Sequence, residues 1–262
     1  LINIIRLRLI LNSETLSYRL TSLKRGEKKL ILVVRKQFIN QASLQGKKMI
    51  ILYTFISEKE HQSILDRYLS AFSQEIKQNI LRYRRWQDAQ LSLLGKVLLQ
   101  YGLKTYYNIP DAEIEILPNK KPYLKGHNLH FNISHSKDLV VCAIADYPLG
   151  IDVEFSDSKV SYLDFTFQMT ADEFQEVHDS EDKIKSFFTY WTRKEAVIKA
   201  HGAGMMLPLE SFEVLNNECV IEGEKFFTKE IFIHEGYYSY IASTDQSIKD
   251  VIPLIKDFKE EI

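Results

Sequence analysis

Apolar residues alternate with polar ones over Gly150-Ile-Asp152-Val-Glu154, the period-2 pattern of a half-buried strand. Between Ser186 and His201 there is no Gly or Pro, and Gly202 stands just past the end, so this stretch predicts a helix with a glycine stop. Strands are expected over Met49–Ile56, Ala112–Leu117, Leu129–Ile133 and Leu139–Ala145. After the long helix they are expected over Ser211–Leu215, Cys219–Ile221, Phe226–His234 and Tyr237–Ala242. Helical periodicity marks His61–Ser73, where Ile64, Leu65, Tyr68, Leu69 and Phe72 share a face, and a second run over Gln74–Tyr101. Thr170 followed by Glu173 is a capping-box pattern opening a further helix.

Charge divides the chain unevenly. Residues 1–48 carry 11 Lys or Arg against 2 Glu, whereas residues 49–262 carry 23 basic and 33 acidic side chains. The acidic body argues against nucleic acid as a partner. No apolar run reaches the roughly 18 residues of a membrane span. Cys142 and Cys219 lie far apart in apolar runs without metal spacing, so they read as free buried thiols of a reducing compartment. Met49 is the first methionine. Residues 1–48 are expected to be an upstream-translated or non-native extension with little structure, the alternative being a basic membrane-surface or targeting arm.

Three stretches carry candidate chemistry. On the helix, Trp191, Glu195 and Lys199 recur at four-residue steps on one face. Alone they amount to a surface Glu–Lys pair of about 0.2–0.5 kcal/mol. On the strand, Asp152 and Glu154 point to one side, an acidic edge or two oxygen ligands for a cation such as Mg²⁺, with Glu195 as a third. In His130-Phe-Asn-Ile-Ser134-His135-Ser136 a short strand runs into a polar turn. Its Ser and His side chains suit phosphate oxygens or simple turn capping.

Taken in order, Asn132-Ile-Ser-His-Ser136, Gly150-Ile-Asp-Val-Glu154 and Trp191-Thr-Arg-Lys-Glu-Ala-Val-Ile-Lys199 resemble the three signatures of the 4′-phosphopantetheinyl transferases, the surfactin-synthetase-activating type above all. Gly202-Ala-Gly-Met-Met-Leu-Pro-Leu209 resembles the family's segment after that helix. The resemblance covers Met49 to the C-terminus. It implies an α+β fold of two similar halves, 49–147 and 148–262, related by a pseudo-two-fold axis with the site between them. It implies Mg²⁺-dependent transfer of phosphopantetheine from coenzyme A to a serine of an apo acyl or peptidyl carrier protein, by a cytoplasmic monomer, with Mn²⁺ as an alternative metal. The rival reading is an inactive coenzyme A-binding regulator.

The resemblance also assigns roles. Asp152, Glu154 and Glu195 hold the metal; Glu195 is the base for the serine, and Lys199 neutralises the leaving phosphate. Ser134, His135, Lys121 with Pro122, and Ser92 grip coenzyme A. Leu91 replaces the Arg usual beside Ser92, and Lys120 replaces the Gly usual before Lys121. Lys194, about 100° round the helix from Glu195, is left to a different phosphate or to solvent. Lys77, Arg82, Arg84 and Arg85 form a basic cluster near the coenzyme A region. A functional Glu is implied at Glu173, where the capping box offers a structural explanation.

Overall fold

The computed structural model describes residues 8–11, 14–17, 48–119 and 121–260. In the N-terminal unit, β1 (Arg8–Leu11) and β2 (Glu14–Ser17) pair antiparallel. The remainder of the expected extension lies outside the described residues.

From residue 48 onward the chain is α+β, with two four-stranded sheets. The first has the order β12-β3-β7-β6. β3 (Met49–Phe55), β6 (His130–Ser136) and β7 (Leu139–Ala145) are antiparallel neighbours, and β12 (Leu254–Asp257) adds to β3 in parallel. The second has the order β8-β11-β10-β9, from β8 (Gly150–Phe155), β9 (Glu218–Ile221), β10 (Glu224–Glu230) and β11 (Tyr237–Ser243). A small hairpin joins β4 (Ile114–Ile116) to β5 (Pro122–Leu124). The two halves repeat one plan. Each opens with a strand (β3 or β8), passes through helices, and returns as a hairpin whose last strand (β7 or β11) pairs with the opening one.

Each sheet is covered by one long helix. α3 (Trp86–Tyr107) follows α1 (His61–Tyr68) and α2 (Gln74–Leu81), and lies on the first sheet. α5 (Lys183–His201) follows α4 (Ala171–Asp179) and lies on the second. The single run expected over Gln74–Tyr101 is therefore two helices. Its break falls at residues 82–85, where Arg85 is extended (φ −97°, ψ 130°). α3 buries Leu91, Leu93, Leu94, Val97, Leu98 and Leu99 around much of its circumference, as an interior helix must. It ends at left-handed Asn108 (φ 56°), two turns beyond the expected end.

The strand expected at Ser211–Leu215 is absent; residues 209–211 form a 3₁₀ turn. Buried side chains satisfy this segment's backbone in place of a neighbouring strand. Lys194 donates to the carbonyls of Leu209 and Phe212, Arg193 donates to that of Val214, and the Val214 N–H donates to Glu173.

Candidate active site

The edges β6 and β8 face each other without forming a backbone ladder. Side chains of alternate β6 residues make the junction. The Ile151 N–H donates to Asn132 Oδ1 (3.0 Å), the Val153 N–H to Ser134 Oγ (3.3 Å), and the Phe155 N–H to Ser136 Oγ (3.0 Å). Period-2 alternation is what lets every second residue of one strand serve every second amide of the other. The same hydroxyls fix the acids of β8: Ser134 donates to Asp152 Oδ1 (2.9 Å) and Ser136 to Glu154 Oε2 (2.6 Å).

Gly150, Asp152 and Glu154 form the β8 face that meets α5. A Cβ on Gly150 would stand 2.2 Å from the Ala196 carbonyl oxygen and 2.4 Å from the Ala200 nitrogen, so only glycine lets the helix lie this close. Successive turns of α5 then reach successive residues of β8. The Trp191 side chain hydrogen-bonds Glu154. The Lys199 ammonium donates to Asp152 Oδ1 (2.6 Å) and to Ser134 Oγ (2.8 Å). Glu195 lies between them in the helix. Its carboxylate accepts no hydrogen bond from the described residues and senses Asp152 and Lys199 through charge alone.

All three carboxyls are held above the ordinary range. Burial is the first cause for each. Repulsion from Asp152 adds to it for both Glu154 and Glu195. For Asp152, which is 2 % exposed, Lys199 and Ser134 oppose the rise. Its second oxygen, Oδ2, is buried with no partner among the described residues. Asp152 repels both Glu154 and Glu195 and carries an orphaned buried oxygen, a chemistry that suits a hard divalent cation. Among the described residues no three His, Cys, Asp or Glu side chains are placed together so that they could hold a metal ion, and Lys199 supplies the positive charge at Asp152.

Several expected contacts fall elsewhere. Lys194 is fully buried, 2.8 Å from Glu173 Oε2, and spends its remaining protons on loop carbonyls. It faces the inside of its own half and reaches neither a phosphate nor solvent. Glu173 caps α4 as the capping box predicts and is also the counter-ion of Lys194. Ser134 has its one proton on Asp152 and both acceptor sites filled, so it positions the acid and has no free hydroxyl for phosphate. Lys121 donates to the Ala200 carbonyl at the end of α5 (2.6 Å), and burial lowers its pKa. Pro122 opens β5 and is exposed. Ser92 is half-buried on α3 beside Lys96, 3.4 Å from its Nζ. His135 reaches the surface, but its neighbours partly desolvate the ring. Its pKa is lowered by lost solvation and by Lys199, with Asp88 and Asp152 opposing. Ser136, for which the sequence offers phosphate binding or turn capping, instead orients Glu154 and accepts the Phe155 N–H; its place two residues after Ser134 in a strand is the signal for that role.

The comparisons agree on one family. Residues 148–246 match the model described as 4′-phosphopantetheinyl transferase superfamily, and residues 57–146 match that of the 4′-phosphopantetheinyl transferase N-terminal region. The 4′-phosphopantetheinyl transferase gsp of Aneurinibacillus migulanus is 34% identical over 171 residues, covering 64% of this chain and 72% of the relative. The 4′-phosphopantetheinyl transferase Sfp of Bacillus subtilis (strain 168) is 32% identical over 173 residues, covering 61% and 71%. At 27% identity, covering 58% and 57%, the chain also resembles the L-aminoadipate-semialdehyde dehydrogenase-phosphopantetheinyl transferase of Xenopus laevis.

Proposed function

Because the chain belongs to the 4′-phosphopantetheinyl transferase superfamily, we propose that it moves the phosphopantetheine group of coenzyme A onto a serine hydroxyl of an apo acyl or peptidyl carrier protein. The observation that carries the mechanism is the face shared by Asp152, Glu154 and Glu195, with Glu195 accepting no hydrogen bond and held above the ordinary carboxylate range. A free carboxylate of raised pKa is a fit acceptor for a hydroxyl proton.

Asp152, Glu154 and Glu195 would hold a divalent cation, Mg²⁺ or Mn²⁺, which when bound supplies charge neutralisation at the pyrophosphate. Glu195 takes the serine proton. The serine oxygen forms a bond to the phosphorus next to pantetheine, and the bond from that phosphorus to the bridging oxygen breaks. Adenosine 3′,5′-bisphosphate leaves with the bond's electron pair. Lys199, anchored on Asp152 and Ser134, has a further proton to offer the departing oxygen. His135, exposed next to the Lys199–Asp152 pair, and Lys121, with two donors beyond Ala200, remain the candidates for the other coenzyme A phosphates. Pro122 would set the Lys121 turn, and Ser92 would contact the nucleotide. Ser134 and Ser136 act through the acids they orient.

Residues 49–147 and 148–262 act as two halves of one site, β6 coming from the first and β8 from the second. One chain therefore supplies the whole arrangement, which supports a monomer. Buried free Cys142 and Cys219 suit the reducing cytoplasm. No helix among the described residues is long and apolar enough to cross a membrane. The relatives carry transferase names, which gives no support to the inactive-regulator alternative.

The test is the intact mass of an apo carrier protein after incubation with this protein, coenzyme A and Mg²⁺, beside a chelator control. A metal-dependent gain of one phosphopantetheine group is expected. No gain across several unrelated carriers, from protein shown to bind coenzyme A, would overturn the reading.

A further inference from the structure

The C-terminal end of α5 is finished by a residue of the other half. The last carbonyls of a helix have no partner within it and need one from outside. At α5 the Gly202 N–H donates to the Ile198 carbonyl (2.8 Å). The Lys121 ammonium, reaching from the turn between β4 and β5, donates to the Ala200 carbonyl (2.6 Å). A cation here also meets the negative pole of the helix dipole. The turn is shaped for this reach: the Lys121 N–H donates to Asn119 Oδ1 (3.2 Å), and the Leu117 N–H donates to the Lys121 carbonyl (2.9 Å). Gly202 leaves the room. It is left-handed (φ 90°), and a Cβ there would stand 2.8 Å from Asn119 Nδ2 and 3.0 Å from Lys121 Cδ. The glycine that stops the helix therefore also lets the lysine stem lie across its end.

Lys121 gives up solvent to make this bond. Burial lowers its pKa, and Glu224 opposes the fall through charge, without forming an ion pair among the described residues. A partly buried ammonium is costly unless it is hydrogen-bonded, and the helix end supplies the bond. The turn that carries Lys121 is fixed to the first half. Leu124 on β5 is 2 % exposed in the core it shares with α3, and Lys125 pairs with Glu115 across the hairpin (2.7 Å). Lys199 stands immediately before Ala200 in α5. Its ammonium runs the other way, from α5 to Ser134 of β6 (2.8 Å). Two ammonium groups reaching in opposite directions thus tie adjacent residues of α5 to the first half.

We propose that Lys121 is a positioning residue for transfer: its bond to the Ala200 carbonyl sets the last turn of α5, and with it Lys199, against β6. The inference rests on the transfer reading above. It uses one of the three lysine protons, so a phosphate contact by the others is a separate matter, read in the KM for coenzyme A. Lys199 has to meet the departing oxygen, and misplacing a reacting group by on the order of 1 Å can cost about a hundredfold in rate. Lys121 acts on the rate through Lys199, whether or not it also touches a phosphate.

Lys121→Met keeps the stem over Gly202 and removes the donor. Hydrogen exchange followed by NMR on the full chain should show the amides of Lys199 to Gly202 exchanging about tenfold or more faster, with those of β8 unchanged. The kcat for transfer to an apo carrier should fall about tenfold or more, whatever the KM for coenzyme A does. Gly202→Ala keeps the donor but pushes against the Lys121 stem, and it should produce both effects. Gly204→Ala is the control. Gly204 is also left-handed (φ 58°), but a Cβ there meets nothing within 4 Å, so the backbone strain is matched while Lys121 is untouched, and both readouts should stay at the parent values. Urea unfolding should show all three variants to be folded. The proposal is overturned by a raised KM at unchanged kcat, which would leave Lys121 a phosphate ligand, or by faster exchange at unchanged kcat, which would leave it a helix cap. It is also overturned by unchanged exchange in folded Lys121→Met, or by Gly204→Ala matching Gly202→Ala. Absence of transfer in the parent would overturn the transfer reading and this role with it; a parent that transfers, with any of those results, overturns this role alone.

Discussion

Ser136 donates to the Glu154 carboxylate across 2.6 Å while accepting the Phe155 N–H at 3.0 Å, so one hydroxyl both closes the junction of the two sheets and aims an acid. Ser136→Ala is expected to raise the Mg²⁺ concentration needed for half-maximal transfer by about 10-fold or more, as loss of an outer partner commonly does. It should also cost about 1–2 kcal/mol in urea unfolding. Initial rates against MgCl₂ check this. A stability loss with unchanged Mg²⁺ dependence would leave Ser136 a joint between sheets and nothing more.

Asp152 and Lys199 are held as a pair, with the acid 3 % and the lysine 27 % exposed at the side chain. Asp152→Asn is expected to abolish detectable transfer while the protein stays folded. Lys199→Ala leaves the buried acid without its cation and should destabilise by about 1–3 kcal/mol. It should lower kcat more than it raises the KM for coenzyme A. The double variant Asp152→Asn/Lys199→Met is expected to recover stability and remain inactive. Recovery of activity in the double variant would refute the assignment of Asp152.

Lys194 and Glu173 form an ion pair that is closed to solvent. Lys194→Met is expected to cost about 3–5 kcal/mol, because Glu173 is then buried alone, with part regained in Glu173→Gln/Lys194→Met. In the protein that remains folded, the KM for coenzyme A should be unchanged. A raised KM at unchanged stability would return Lys194 to the substrate.

Gly150→Ala drives a methyl into the Ala196 carbonyl and the Ala200 nitrogen. The backbone of α5 must move away from β8, at about 3 kcal/mol or more, and Trp191, Glu195 and Lys199 move with it. Transfer should fall further than the folded fraction does, measured by circular dichroism and rate on one sample.

Metal-free stability should carry the signature of the crowded acids. Glu154 and Glu195 have folded pKa values raised first by burial and then by Asp152. The folded state therefore binds protons more tightly than the unfolded chain, whose Glu titrates near about 4.3. Stability is fullest below that value and falls as pH rises through the raised folded values. With chelator present, urea unfolding across this window should show a steeper decline for the parent protein than for Glu195→Gln. Parallel curves would mean that Glu195 is not perturbed.

Much of the local structure was legible in the chain. The alternation at Gly150–Glu154 specified a strand with both acids on one face, because side chains alternate with period 2. The uninterrupted run before Gly202 specified a helix, and the left-handed Gly202 (φ 90°) ends it. The Thr170–Glu173 capping box formed as expected. The order of the three motifs identified the family. The tertiary structure decided the partners. Lys194 and Lys199 are five residues apart on one helix. One turns into its own half to meet Glu173, and the other turns to the sheet junction to meet Asp152. Helical periodicity separates their directions but cannot say what waits there, since Glu173, Asp152 and Ser134 come from distant elements. The same holds for residues 209–214, whose backbone is satisfied by buried side chains, and for Leu254–Asp257, which becomes a strand only beside β3. Period and capping depend on neighbours in sequence; hydrogen-bond partners and burial depend on neighbours in space.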